Sequence, residues 1–405
     1  MENQTKKHTL HPLKDYSAVG FDVDHTLAKY NLCDFLPITY KCLAQVLIND
    51  KKYPESLLEY GKQEQSFLHN GLIIDIKTGI ILKLGEGKLI LRAYQGFNRL
   101  SDKDIEKVYG GPPVYEIFDP YKTRTSEYLC CLTYYEIALP VLYAKIVELK
   151  KKGGRELTEE VLVEILNDCI YAVKMNYNHY DDKKYHPITT FGYFFKDLQK
   201  NLSKAVIKMP KMLNALKKLR IKGKVLFLIS NSHYEHIKMV MDHAYGTGWE
   251  KIFDYIIAKG AKPYFFSLPE RTFKSIDIKS ENRIGQSCSY LQQHVFYTDG
   301  NSKILEDNIK KHKPKLGRIL FFGDNFSSDV LAAETNPNWD GVCIMEDLDD
   351  PSYGDKYTNE IWGSFSGDDT PYGKVAGYWY KLMHTQVSKV VKAVDTPEML
   401  KFYEE

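Results

Sequence analysis

The stretch Ala18-Val-Gly-Phe-Asp22-Val-Asp24-His-Thr26-Leu27 organises the rest of the chain. Its first four residues are apolar or small, which is typical of a buried parallel strand. Two acids, Asp22 and Asp24, and a hydroxyl residue, Thr26, follow directly. Ligands of open α/β sheets bind beyond the carboxyl ends of strands, and two close carboxylates favour a cation between them. The pattern therefore predicts a site for Mg²⁺, which takes oxygen ligands, although an Asx-type turn with Asp24 as a helix cap is the simpler alternative.

Composition limits the class of protein. The chain has 405 residues, a net charge of +2, 43% hydrophobic and 27% charged residues. Such a charge provides no basic field for nucleic-acid binding, so no nucleic-acid partner is expected. The seven cysteines are scattered, which favours a reducing compartment. The first ten residues lack the apolar core of a signal peptide and no run approaches membrane-spanning length, so we expect a cytoplasmic protein without a membrane partner.

The rhythm of the sequence predicts an α/β fold with an insertion. From about residue 206, apolar runs alternate with amphipathic helical patterns, which indicates a parallel sheet with helices on both faces. No comparable alternation follows the first strand. We therefore predict a discontinuous core, residues 1–33 and 206–405, and an α+β cap, residues 34–205, inserted after the first strand. The cap is expected to contain a small meander over residues 71–93.

Two later strand ends carry residues that suit an anion. Ser230 and Asn231 follow the apolar run 224–229 and precede a helix, where hydroxyl, amide and free N–H groups bind phosphate or merely cap the helix. Lys262 follows the strand expected at 252–258, where an ammonium group neutralises a phosphate oxygen, although a surface lysine is the commoner role.

A third strand end carries two further acids. In Phe321-Phe322-Gly323-Asp324-Asn-Phe-Ser-Ser-Asp329, the glycine lets the backbone approach closely and Asp324 reaches an ion held by Asp22. Asp329 then orients a bound water or pairs with Lys262. A glycine turn with aspartate caps is the alternative for this segment alone.

Together these motifs resemble the haloacid dehalogenase-like (HAD) phosphohydrolase superfamily. They occur in its order: D-x-D-x-T, then a Ser after the second strand, then Lys, then G-D-x-x-x-x-D. The resemblance implies a HAD-like Rossmannoid fold. Further stretches, among them Gly20-Phe-Asp-Val-Asp-His-Thr-Leu27 and Ala261-Lys-Pro-Tyr-Phe-Phe266, are similar to the cytosolic purine 5′-nucleotidase family and, within it, to the 5′-nucleotidase domain-containing proteins, particularly of the protein 1 type.

The resemblance implies a mechanism with Mg²⁺ as cofactor. Asp22 would be the nucleophile that forms an aspartyl-phosphate, and Asp24 the general acid and base. Asp22, Asp24 and Asp324 would hold the metal, with Asp24 contributing its backbone carbonyl. The phosphate would be bound by Thr26, Ser230, Asn231 and Lys262. Asp329 would support them.

The predicted substrate is a small phosphoester, most simply a nucleoside 5′-monophosphate. The segment Asn176-Tyr-Asn-His179-Tyr180 resembles the base-stacking pattern of the purine enzymes, with Asn in place of Asp, so His179 and Tyr180 are predicted to bind the base. His25 is expected to face away from the acids and to be structural. Another phosphoester, or a scaffold protein with the same fold, stays open as an alternative, as do a homo-oligomer and the role of the region after residue 365.

Overall fold

Apolar runs of the sequence form strands and amphipathic runs form helices in a computed structural model that describes residues 9–177, 192–277, 284–315, 317–348 and 361–405. The strands are β1 (Tyr16–Phe21), β2 (Leu72–Asp75), β3 (Ile81–Leu84), β4 (Ile90–Gln95), β5 (Asn98–Arg99), β6 (Tyr128–Cys131), β7 (Val225–Ile229), β8 (Tyr255–Ala258), β9 (Phe273–Ile276), β10 (Ile284–Cys288), β11 (Phe296–Asp299), β12 (Arg318–Gly323), β13 (Trp339–Ile344), β14 (Gly367–Thr370), β15 (Gly373–Ala376) and β16 (Lys389–Val391).

The helices surround two sheets. They are α1 (Leu32–Lys51), α2 (Lys62–Phe67), α3 (Asp102–Tyr109), α4 (Leu139–Lys152), α5 (Glu159–Tyr177), α6 (Phe194–Lys200), α7 (Leu202–Ala205), α8 (Pro210–Ile221), α9 (Tyr234–Tyr245), α10 (Tyr264–Ser267), α11 (Ser302–His312), α12 (Tyr378–Gln386) and α13 (Pro397–Phe402). A π-helical turn covers Phe326–Leu331.

The larger sheet has the order β10-β9-β11-β8-β7-β1-β12-β13-β16 within the described residues. Its pairs from β11 to β16 are parallel, and β9 and β10 join antiparallel at one edge. The sheet confirms the predicted α/β class. Because β7 and β12 flank β1 on opposite sides, the sheet has a switch point at β1, which is where ligand crevices form in such sheets.

Strand β1 is buried on both faces. Val19 and Phe21 join one apolar core, together with residues of α8 and α9, whereas Ala18 joins a second core that includes residues of α11. Helices therefore cover both faces, as predicted. Gly20 is required because a Cβ atom there would lie 2.1 Å from the ring of Phe227.

The inserted segment has its own antiparallel sheet, in the order β5-β4-β3-β2-β6. Strands β2, β3 and β4 are the meander that the sequence predicted over 71–93. The helices α1, α4 and α5 pack beside this sheet, and their buried residues continue into the core that covers β1. These three helices and the larger sheet thus share one apolar cluster.

The C-terminal region packs against both sheets. The buried Lys83 ammonium of β3 lies 2.9 Å from an Asp368 carboxylate oxygen, and Arg92 of β4 lies 3.0 Å from the other. Trp379 donates to the Gly71 carbonyl at 3.1 Å, and β16 extends the larger sheet. The sequence left this region undecided because its strands are short and polar.

None of the described helices has the length and apolar character that crossing a bilayer requires. All seven cysteines are free thiols.

Candidate active site

Three carboxylates meet at the carboxyl end of the central strands. The Asp22 main-chain N–H donates to the Phe322 carbonyl at 2.7 Å, so β1 and β12 end side by side. One oxygen each of Asp22, Asp324 and Asp329 lies within 4.8 Å of the others. Burial, together with the neighbouring Asp329 and Asp24, raises the pKa of Asp22 to about 6. Three carboxylates this close repel one another, and their oxygens are the ligands that a hard divalent cation prefers, so the cluster suits such an ion.

The ammonium group of Lys262 lies between two of these acids. Its Nζ atom is 2.9 Å from Asp22 Oδ1 and 2.7 Å from Asp329 Oδ1, and the residue is only 5% exposed. Burial alone lowers the pKa of Lys262, but the two carboxylates outweigh it and raise that pKa above its ordinary value. The lysine is therefore charged, and its position favours an anionic ligand at the same edge.

The amide of Asn231 holds the main chain of Lys262. Asn231 Nδ2 donates to the Lys262 carbonyl at 3.0 Å, and the Lys262 N–H donates to Asn231 Oδ1 at 2.7 Å. Both ends of the side chain are engaged, so it positions the lysine. Phosphate binding by Asn231 stays a prediction.

The other residues of the predicted phosphate cradle are buried at the same edge. Ser230, 2% exposed, follows β7, and its Oγ accepts the Ser232 N–H at 3.1 Å. The Thr26 hydroxyl, 2% exposed, has no hydrogen-bond partner among the described residues. A buried hydroxyl without a partner is costly, so a ligand that accepts its hydrogen bond fits here.

Asp24 lies beside Asp22 but in a different environment. Its Oδ1 accepts from the Tyr30 hydroxyl at 2.6 Å and lies 2.8 Å from His236 Nε2, while its Oδ2 accepts from the Ser232 hydroxyl at 2.6 Å. Burial alone raises the pKa of Asp24, but His236, Ser232 and Tyr30 together lower it below its ordinary value. The pKa of Asp22 is therefore raised and the pKa of Asp24 is lowered, although the two side chains are neighbours.

His25 lies on the other side of the strand end, as predicted. Its Nδ1 is 3.1 Å from a Glu346 carboxylate oxygen, and its ring stacks on Tyr134 with centroids 4.2 Å apart. His25 has a φ of 53°, a left-handed conformation that turns the chain between the two acids.

Gly323 makes room for Asp329. A Cβ atom at Gly323 would lie 2.4 Å from Asp329 Cβ and 2.6 Å from its Oδ2.

We expect Gly323→Ala to displace Asp329 from Lys262, to lower the free energy of unfolding by about 1–3 kcal/mol and to reduce turnover sharply. Urea unfolding and phosphate release measure the two effects. Gly153→Ala, at an exposed glycine with a φ of -76° whose added Cβ atom would make only van der Waals contacts, controls for a general glycine effect. Unchanged activity in Gly323→Ala would contradict this role.

A cavity of about 460 Å³ adjoins these residues. Its core side includes Ser232, which bonds Asp24, and its other side comes from the inserted segment. The lining residues are Thr133, Tyr135, Glu136, Val173, Tyr177, Phe195, Asn231, Ser232, His233 and Lys259. Burial raises the pKa of Glu136, whose carboxylate accepts from Thr133 Oγ1 at 3.1 Å. His179 and Tyr180, the predicted base-binding residues, lie outside the described residues.

Several residues of the site were not predicted. Tyr30, Ser232 and His236 surround Asp24, and Tyr135 and Glu136 line the cavity. The one sequence signal was the spacing of Ser232 and His236, four residues and about one helical turn apart across the start of α9.

Comparison of the sequence with known proteins places the chain in a family of phosphate-ester hydrolases. The family model described as the 5′ nucleotidase family matches residues 8–352. The human 5′-nucleotidase domain-containing protein 1 is 28% identical over 338 residues, which cover 82% of this chain and 71% of that protein. The 5′-nucleotidase domain-containing protein 2 of Rattus norvegicus is 26% identical over 345 residues, covering 83% and 58% respectively. Because the family model spans most of the chain, the chain belongs to the 5′-nucleotidase family, whose members are phosphoric monoester hydrolases.

Proposed function

We propose that this protein is a Mg²⁺-dependent 5′-nucleotidase that hydrolyses nucleoside 5′-monophosphates through an aspartyl-phosphate on Asp22. The observation that carries the proposal is the group of three carboxylates and one buried lysine at the end of β1, beside a cavity of about 460 Å³. This arrangement combines a nucleophile, cation ligands and a charge for the phosphate with space for a leaving group.

Asp22 acts as the nucleophile in the first step. One of its carboxylate oxygens attacks phosphorus, the bond from phosphorus to the leaving oxygen breaks, and that oxygen takes a proton from Asp24, which is protonated in the substrate complex although its pKa is lowered in the free protein. Lys262 holds the phosphoryl oxygens as a fixed positive charge, and the hydroxyls of Thr26 and Ser230 donate to them. Lys262 also lies 2.9 Å from Asp22 and so orients the nucleophile.

Asp24 acts as the general base in the second step. A water molecule gives its proton to the Asp24 carboxylate and attacks phosphorus of the aspartyl-phosphate, which releases inorganic phosphate and restores Asp22. Asp24 contacts Ser232, which lines the cavity, and we propose that Asp24 serves both steps from this position.

The residues that would hold Mg²⁺ are Asp22, Asp324 and the backbone carbonyl of Asp24. The carboxylate donors fit the ion, because their oxygens converge within 4.8 Å and are the hard ligands that it prefers. When bound, Mg²⁺ supplies the positive charge that lets an anionic carboxylate approach an anionic phosphate. Asp329 supports the site through Lys262, from which it is 2.7 Å away.

The inserted segment, proposed as a cap over residues 34–205, selects the leaving group. Tyr135 and Tyr177 line the cavity with aromatic rings whose centroids are 5.2 Å apart, and rings of this kind suit a nucleobase. His179 and Tyr180 remain proposed base contacts. The names of the relatives, which include 5′-nucleotidase, support a nucleotide substrate.

Phosphate release from a panel of nucleoside monophosphates and sugar phosphates tests this function. With Mg²⁺ present, we expect turnover of nucleoside 5′-monophosphates, because the cavity has room for a base and aromatic walls. Turnover of sugar phosphates alone would retain the chemistry and exclude the nucleotide substrate. A folded protein that is inactive across the panel would contradict the proposal and favour a scaffold role.

A further inference from the structure

The two oxygens of Asp24 have different surroundings. Oδ1 contacts the Tyr30 hydroxyl and His236 Nε2, and both of those residues are 1% exposed. Oδ2 contacts the Ser232 hydroxyl, which belongs to a residue that lines the cavity. One oxygen is thus held by two residues of the protein interior, and the other is bonded to a residue that lines the cavity.

His236 is placed to hold that carboxylate rigidly. It lies in the first turn of α9, and Phe195 packs against its ring at 5.4 Å between centroids. Its Nε2 also lies 3.3 Å from the Tyr135 hydroxyl and 3.4 Å from the Tyr30 hydroxyl. A carboxyl oxygen that carries no proton only accepts hydrogen bonds, so with the exchanged proton on Oδ2, Nε2 carries a proton and donates it to Oδ1. The ring is packed into a single orientation by these contacts.

We propose that His236 is a positioning residue for Asp24, which it anchors through Oδ1 so that Oδ2 is the oxygen that exchanges a proton with the leaving group. The inference rests on the proposed role of Asp24. A general acid must be within hydrogen-bond reach of the leaving oxygen, and small displacements of such groups cost large factors in rate. Ser232 releases Oδ2 by rotating its hydroxyl when the leaving oxygen arrives.

Two aryl phosphates of similar size isolate this role. Phenol is a much weaker acid than p-nitrophenol, so the departure of phenolate from phenyl phosphate needs a proton, whereas p-nitrophenolate leaves without one. Because kcat/KM reports on the steps up to the first irreversible one, it measures the formation of the aspartyl-phosphate. If His236 positions Asp24, its loss therefore lowers kcat/KM selectively for phenyl phosphate. If His236 is merely structural, its loss lowers kcat/KM equally for both compounds.

We expect His236→Phe, which keeps the ring and removes the donor, to lower kcat/KM for phenyl phosphate about tenfold or more and that for p-nitrophenyl phosphate about threefold at most. His236→Gln, whose terminal amide N–H can occupy the place of Nε2, should restore most of the loss. His236→Asn, with the same amide on a shorter side chain, should not, and it provides a second test if the Phe variant does not fold. His243→Gln, in the last turn of the same helix, controls for the loss of a histidine.

Equal losses for both phosphates, no loss at all, or failure of Gln to exceed Asn would overturn the proposal. Those outcomes are distinct from failure of the proposed function. If the wild-type protein hydrolyses neither the aryl phosphates nor any nucleoside monophosphate, or if Asp22→Asn remains active, the assigned chemistry is itself wrong and the role of His236 falls with it.

Discussion

Asp22→Asn is expected to abolish phosphate release while the protein stays folded. The amide oxygen is a far weaker nucleophile than a carboxylate, so turnover should fall by about three orders of magnitude or more. The fold should survive because asparagine has the same shape and removes one of several crowded negative charges. Burial and the neighbouring acids already disfavour the charged form of Asp22, as its raised pKa of about 6 indicates.

The measurement is phosphate release, with thermal melting to verify the fold. Asp307→Asn is the matched control, because the same chemical change is made at an exposed position on α11, where the carboxylate has a 3.6 Å contact with Lys310. The control should keep full activity. An active Asp22→Asn variant would refute the assignment of the nucleophile.

Removal of divalent metal is expected to abolish activity, and Mg²⁺ is expected to restore it. Without a cation, the carboxylates of Asp22, Asp324 and Asp329 repel both one another and the phosphate. The experiment measures turnover after EDTA treatment and during titration with Mg²⁺. Turnover that persists after complete removal of metal would contradict the role of the ion.

Thermal melting tests the same site without reference to activity. A ligand that binds only the folded state stabilises it by about 2.7 kcal/mol at a concentration 100 times its Kd, so Mg²⁺ should raise the Tm of the wild-type protein. Asp324→Asn should lose most of this shift because it removes one charged ligand, whereas Asp307→Asn should retain it. A shift that is unchanged in Asp324→Asn would place the metal elsewhere.

Local signals were sufficient for the positions of the acids. The apolar pattern of each strand shows where that strand ends and which polar residue follows it. Because the carboxyl ends of parallel strands come together at one edge of the sheet, the residues that follow several such strands are expected to lie close together. Asp22, Asp324 and Lys262 follow three such runs, and the structure brings them together. The sequence also predicted a close approach of the backbone at Gly323, but it did not predict that Gly323 makes room for Asp329.

Contacts between distant segments could not be predicted in this way. Asp24 and His236 are 212 positions apart, and Asn231 and Lys262 are 31 apart. No periodic pattern records such pairs, since each depends on how two loops pack after the sheet has formed. The packing of Asp368 against Lys83 has the same origin and spans 285 positions.

What the sequence determined and what only the tertiary structure decided therefore differ for a physical reason, which is the range over which each interaction acts. Hydrophobic periodicity and the residues at strand ends act over a few positions, so the sequence alone determined the α/β class and the acids at the strand ends, whereas the nucleophile role of Asp22 came from the family resemblance. The orientation of each polar side chain is set by burial and by hydrogen-bond partners from remote segments. Only the folded chain, with Tyr30, Ser232 and His236 gathered around one carboxylate, decided how Asp24 is held.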